Sequence, residues 1–224
     1  YWDITVDYAK AGTDDICMRV RVRNAGPEAA TLHLLPHLWF RNRWSWDPAA
    51  HRPVIDLDEG ALSAREPALG TMTLCGDGAP EAVFCDNQSN TERLWGTPGA
   101  PFPKDGINDH VVHGRQTVNP DATGTKAALW YRLEVGPGET AEVRLRLAPG
   151  LADLDETWSA TLDARRAEAD DFYAGIAPAA TADEAHVMRQ AFAGMLWSKQ
   201  FYHYDVARWL DGDPAGPPPP LERH

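Results

Sequence analysis

No run of residues in this chain stays apolar for the roughly 20 residues a membrane-spanning helix needs. The opening Tyr1-Trp2-Asp3-Ile4-Thr5-Val6 also lacks the basic-then-apolar order of a secretory leader. Cysteine is scarce: Cys17, Cys75 and Cys85 form an odd set without a C-x-x-C pair, which argues against a disulfide framework or a zinc knuckle and fits a reducing cytoplasm. Positive charge is short as well. Lys and Arg number 21 against 33 Asp and Glu, a formal net charge of −12, and the basic residues are scattered, so neither nucleic acid nor a membrane is an expected partner. A Gly-x-Ser-x-Gly nucleophile turn and a phosphate-cradling glycine loop are both missing. The chain has no starting Met and begins in strand-like sequence, so the protein is expected to extend upstream, this chain being a truncated or partial product.

What remains is ordinary globular sequence. Hydrophobic residues make up 43% and charged residues 24% of 224 residues, enough for one large domain or a domain with a smaller helical piece. Ile16, Met18, Val20 and Val22 alternate with Arg19, Arg21 and Arg23, the pattern of a half-buried strand. Leu32, Leu34, Leu38 and Phe40 continue the even-numbered pattern past Pro36, which predicts a strand that is bent or lies at a sheet edge. Residues 129–135 and 141–147 are two period-two runs around Gly136-Pro137-Gly138-Glu139 and predict an antiparallel hairpin. Shorter runs at 71–75, 81–85 and 109–113 read as further strands, and a β-sandwich over residues 1–150 accounts for all of them.

The period changes after Pro149-Gly150. Leu151, Leu154, Trp158, Leu162, Ala169 and Phe172 predict a helix over about 153–174. Thr181 with Glu184 is a capping-box pattern that opens a second helix over about 182–201. Residues 151–210 are thus mainly helical, and the proline run within 211–224 is a semi-rigid extended connector.

The candidate chemistry is sparse. His33 with His37 and His110 with His113 have spacings compatible with ligation, but no further ligand stands at a fixed distance, so neither a metal nor a cofactor is predicted. Asp14-Asp15, Asp58-Glu59 and Asp170-Asp171 are adjacent acids whose side chains project differently, which suits turns and solvated surface better than paired acid/base work. Trp44 and Trp46 share one side of an extended segment beside Arg41, Asn42 and Asp47, a face that either stacks on a sugar ring or packs between domains. Lys104 to His110 is a polar loop able to bind hydroxyls, with Asp105 and His110 as candidates, although its Asp-Gly and Asn-Asp pairs are equally turn residues. Lys199, Tyr202 and Tyr204 sit in an aromatic and hydrogen-bonding stretch that ends with Trp209-Leu210.

That last stretch, with Asp211-Gly212-Asp213-Pro214, resembles bacterial relatives of the mannosyl-oligosaccharide glucosidases of glycoside hydrolase family 63. Tyr8-Ala9-Lys10-Ala11, Leu38 to Asn42 with Trp44-Ser45-Trp46, and Gly124 to Ala128 resemble the same relatives. The resemblance implies an N-terminal β-sandwich joined by linker helices to an (α/α) barrel of six helical hairpins, with catalytic carboxylates on barrel segments that would lie beyond His224. This chain would then hold no catalytic residue of its own. It would lack the first sandwich strands, leaving apolar edges prone to self-association. It would partner its own barrel and, through the full-length protein, an α-linked glucoside or related oligosaccharide cleaved with inversion. A stand-alone carbohydrate-binding or protein-interaction sandwich is the alternative.

Overall fold

The computed structural model describes residues 1–224 apart from Pro48, 151–152, 177–179, 201–203, Ala215 and His224. Eleven strands and five helices follow in chain order among these residues. The strands are β1 (Trp2–Gly12), β2 (Asp15–Asn24), β3 (Ala30–Leu34), β4 (His37–Trp39), β5 (Val54–Asp58), β6 (Ala61–Glu66), β7 (Gly70–Gly76), β8 (Glu81–Cys85), β9 (Thr123–Gly124), β10 (Lys126–Val135) and β11 (Thr140–Pro149). The helices are α1 (Thr91–Trp95), α2 (Gly106–His113), α3 (Glu156–Ile176), α4 (Ala182–Ser198) and α5 (Val206–Asp211). Antiparallel β-sheet therefore dominates, with helices toward the C-terminus, as the sequence predicts.

The large sheet has seven strands in the order β1-β2-β11-β7-β6-β5-β9. In the small sheet β10 is central, with β3 and β4 along one side and β8 on the other. Pro36 separates β3 from β4. It has no N–H to give a ladder, but its carbonyl accepts from Leu129 N at 3.1 Å, so the interrupted strand still borders β10. Alternation sorts the side chains. Val20, Val22, Ile55, Leu62, Phe84, Leu129 and Leu145 form the core between the sheets, with Met18, Leu32, Leu34 and Tyr131 packed against it. Each fully buried aliphatic contributes about 1.5–3 kcal/mol. On the opposite face of β2, Arg19 donates to Asp7 Oδ2 at 2.8 and 3.0 Å.

The predicted hairpin of 129–135 with 141–147 does not form. β10 belongs to the small sheet and β11 to the large one, so the 136–139 turn carries the chain from one sheet to the other. The apolar faces of the two runs meet across the core instead of pairing edge to edge. Asn24 secures this crossing, donating through Nδ2 to Val135 O at 2.9 Å and through its backbone N to Glu139 O at 3.0 Å.

Residues 109–113 are also not a strand. They are the last turns of α2, closed by Gly114 in the left-handed region (φ 64°). Ile107 and Val111, four residues apart, both pack on the outward side chains of the small sheet, Val83, Cys85, Ala128 and Trp130. A helical period of four serves that contact and a period of two would not.

The first half of α3 covers the outer face of the large sheet, where Trp158 and Leu162 bury against Ala9 and Cys17. Trp158 Nε1 donates to Leu145 O at 2.9 Å, and the Arg144 guanidinium lies 5.6 Å from the ring centroid. Asp15, read from sequence as solvated surface, accepts two bonds from Arg146 at 2.7 and 2.9 Å. The Thr181/Glu184 capping box is present at the start of α4, yet no residue of α4 is buried.

Candidate functional site

A cleft of about 720 Å³ opens between three segments. These are the loop after β4, the stretch from Gln88 to Ala100, and the proline-rich stretch from Asp213 to Pro218.

The loop after β4 is built by an Asn turn. Asn42 Oδ1 accepts from Ser45 N at 3.1 Å while Asn42 Nδ2 donates to Ser45 Oγ at 2.8 Å. Its root is tied to the sandwich, because Phe40 N donates to Thr125 O at 3.1 Å and Asn87 Nδ2 donates to Phe40 O at 2.8 Å. Arg52 bonds Asp86 at 2.6 Å and lies 5.9 Å from the Trp44 ring centroid. Trp44 Nε1 is buried without a hydrogen-bond partner.

α1 presents Trp95 at its last position. Asn90 caps the helix by accepting from Arg93 N at 3.0 Å, Gly96 closes it with φ 69°, and Thr91 Oγ1 donates to Thr97 O at 3.0 Å. Trp95, Asn42, Ser45, Gln88, Ser89, Thr91 and Thr97 line the cleft, and Asp213 is the one carboxylate among its described lining residues. On the far wall a methyl group at Gly216 would meet the Trp95 ring at 3.4 Å, so the proline-rich stretch runs against the indole. The cleft lining thus combines one indole with amide and hydroxyl side chains.

The residues picked from sequence are only partly brought together. Trp46 lies beside the cleft and faces α5, with Arg208 Cζ 6.0 Å from its ring centroid. Tyr204 adjoins the same helix, 6.3 Å ring to ring from Trp209. Asp105 accepts through Oδ2 from Asn90 Nδ2 at 3.1 Å and Arg93 Nη1 at 3.2 Å, so it braces α1 from below and borders a neighbouring cavity of about 270 Å³. His110 sits elsewhere, with Nδ1 2.8 Å from Arg115 O and its ring edge-on to Trp130 at 5.7 Å. Lys199 is the exposed C-cap of α4, and Tyr202 falls outside the described residues.

The cleft residues that sequence reasoning passed over are Trp95, Gln88, Ser89, Thr91 and Thr97. One signal could have found them: a lone indole inside an amide- and hydroxyl-rich stretch, Asn87-Gln88-Ser89-Asn90-Thr91, followed by Gly96-Thr97-Pro98-Gly99.

His37 and Cys85 are among the groups whose titration is shifted. Desolvation by the surrounding groups first, and the charge of Lys126 second, lowers His37 to about 4, although its place in β4 is open to solvent. Burial pushes the Cys85 thiol up to about 12, which leaves it unionised and unreactive. Among the described residues no group of three or more His, Cys, Asp or Glu side chains could hold a metal ion. No described helix is long and apolar enough to cross a membrane.

No family model matches the chain. An uncharacterized protein of Saccharomyces cerevisiae, YMR196W, is 29% identical over 269 aligned residues, which cover 100% of this chain and 25% of the yeast protein. The chain therefore spans about a quarter of the length of the curated relative it matches. Among solved structures, a polysaccharide lyase aligns with 68% of this chain and 20% of its own, at 13% identity and a TM-score of 0.41, a likeness too low to carry an argument.

Proposed function

We propose that this chain is the sandwich-and-linker portion of a glycosidase acting on α-linked glucosides or related oligosaccharides, and that its cleft binds sugar. The observation that carries the reading is a cleft lined by Trp95 together with Asn42, Ser45, Gln88, Ser89, Thr91 and Thr97. An indole covers the apolar C–H face of a pyranose, and amides and hydroxyls donate to and accept from its hydroxyl groups. The sequence resemblance to bacterial relatives of the mannosyl-oligosaccharide glucosidases supports the same assignment.

The division of labour follows from the acid count. Inverting glycoside hydrolysis needs two carboxyl groups about 6.5–9.5 Å apart, one to protonate the leaving oxygen and one to activate water. The described lining residues supply Asp213 alone. In this reading the chain positions sugar, and the acid/base pair belongs to an (α/α) barrel beside it. The match to a quarter of the longer yeast protein agrees with that arrangement. In this reading residues 1–150 are the sandwich, 151–210 the linker helices and first barrel helix, and 211–224 the connector, of which Asp213, Pro214 and Gly216 to Pro218 line the cleft.

The test compares this chain with a longer product of its gene on a panel of α- and β-linked glucosides and mannosides, scoring hydrolysis and binding separately. Hydrolysis by the longer product alone, with binding by the chain that Trp95→Ala weakens about tenfold or more (about 1.4 kcal/mol), is the expected result. Hydrolysis by the chain itself overturns the placement of the acid/base pair. Binding without hydrolysis by either protein replaces this reading with a non-catalytic carbohydrate-binding sandwich, and absence of both ends the carbohydrate assignment.

A further inference from the structure

Asp213 is the one carboxylate among the described residues lining the cleft, and one carboxylate does not make the acid/base pair of glycoside hydrolysis. A turn fixes its position. Gly216 N donates to Asp213 O at 2.9 Å, and the sequence suits such a turn, with Asp at the first place, Pro214 at the second and Gly at the fourth. The turn rests on Trp95. A methyl group at Gly216 would lie 3.4 Å from Trp95 Cη2 and 3.8 Å from Asp213 Cβ, so the aspartate and the indole flank one point of the cleft wall. The rest of the lining is poor in positive charge and in uncommitted donors. No Lys, Arg or His is among the described lining residues. Arg52 pairs with Asp86 at 2.6 Å and Arg93 with Asp105 at 3.2 Å, outside that lining. Thr91 Oγ1 donates its proton to Thr97 O at 3.0 Å, and Asn42 Nδ2 directs one of its two protons to Ser45 Oγ at 2.8 Å. A formal net charge of −12 on the chain adds a negative field around the cleft.

We infer that Asp213 sets the charge selectivity of the cleft: it favours a sugar carrying an ammonium group, admits a neutral sugar and disfavours a uronate. The inference rests on the sugar reading above and adds to it a specificity-determining residue and an order of ligands. A carboxylate beside the indole accepts hydrogen bonds from sugar hydroxyls and attracts an ammonium group more strongly. A ligand carboxylate in the same place meets like charge and gives up its water with no lining cation to replace it. Asp213 is exposed, so the effect has the size of a surface ion pair, about three- to fivefold in affinity for each unit of ligand charge at low salt. Salt weakens it, because the screening length falls from about 10 Å at 0.1 M to about 3 Å at 1 M. The hydrogen bonds that neutral hydroxyls make are not screened in this way, so ionic strength separates charge selection from sugar binding as such.

The test is NMR titration of the chain with methyl α-glucoside, methyl α-glucosaminide and methyl α-glucuronide, at a mildly acidic pH that keeps both the amine and the uronate charged. Each titration is run at low salt and at about 1 M salt, with the wild-type chain, Asp213→Asn and Asp213→Lys. Asn has the shape of Asp and suits the first place of the turn equally well, so D213N removes the charge and keeps the loop; circular dichroism and the thermal transition check both variants. At low salt the wild-type chain is expected to bind the glucosaminide about threefold or more tighter than the glucoside, and the glucuronide about threefold or more weaker. D213N and high salt bring the three affinities together, and D213K inverts their order. Equal wild-type affinities at low salt, an order that persists in D213N, or an order indifferent to salt overturns the inference and leaves the sugar reading standing. Binding of none of the three sugars removes the sugar reading itself, and this inference with it.

Discussion

The sandwich and the α4–α5 region are both rich in apolar residues, and only one of them has a core. In β10 every second side chain is enclosed: Ala127 and Leu129 are buried between the sheets, while Ala128 is buried on the other face against α2. In α4 Phe192, Met195 and Leu196 recur at helical spacing, with Val187 and Trp197 off that stripe, and all five are exposed, Met195 at 74% and Trp197 at 79%. α3 stands between the two cases. Its first turns bury Trp158 and Leu162 against the sheet, whereas Phe172 and Ile176 at its far end are exposed. Periodicity thus makes an amphipathic element, but stabilisation appears only where a second surface removes that face from water. In the proposed reading, the surface that α4 awaits is the helical barrel.

Three substitutions test that contrast. Trp158→Ala removes the largest side chain in the seam between α3 and the sheet together with its bond to Leu145 O. The expected loss is about 3–5 kcal/mol, read as a fall in the urea midpoint of the chain. A loss below about 1 kcal/mol would show that α3 is no more docked than α4. Thr181→Ala breaks the capping box and costs α4 about 1 kcal/mol; because α4 buries nothing, circular dichroism should register reduced helix content while the sandwich transition stays in place. A coupled fall of both signals would show the two regions to be one cooperative unit. The smallest effect belongs to Met195→Lys, within about 0.5 kcal/mol of wild type in the isolated chain. A larger loss would reveal packing of α4 that its exposure does not show, whereas in a longer gene product the same change is expected to be costly.

How far the chain could be read in advance differs from element to element. β2, the interruption at Pro36 and the capped start of α4 follow from local chemistry: alternation, a missing N–H, and a Thr-x-x-Glu that satisfies its own helix end. The 129–147 segment shows the opposite. Its two strands and its turn were legible, but a period-two run states only which side is apolar, and facing strands across a core satisfy that as well as a hairpin does. α2 was missed because Asp109-His110-Val111-Val112-His113 is too short for a period to declare itself, and the small sheet's uncovered face decides in favour of helix.

The site divides along the same line. That tryptophans in a polar neighbourhood favour a sugar-like ligand was a statement about residue types, and it pointed to Trp44 and Trp46. Trp95 comes into the cleft only because Asp105, fifteen residues from Asn90, braces the capped end of α1, and because the proline-rich stretch returns to the same place. His110, close to Asp105 in sequence, is turned to Trp130 and away from it. By itself the sequence determined the β class, the strand faces and the starts of α3 and α4, since each depends on neighbours a few residues apart. The tertiary structure alone decided which strands share a sheet, which apolar faces are covered and which polar residues meet, because those depend on contacts between segments far apart in the chain that no local pattern encodes.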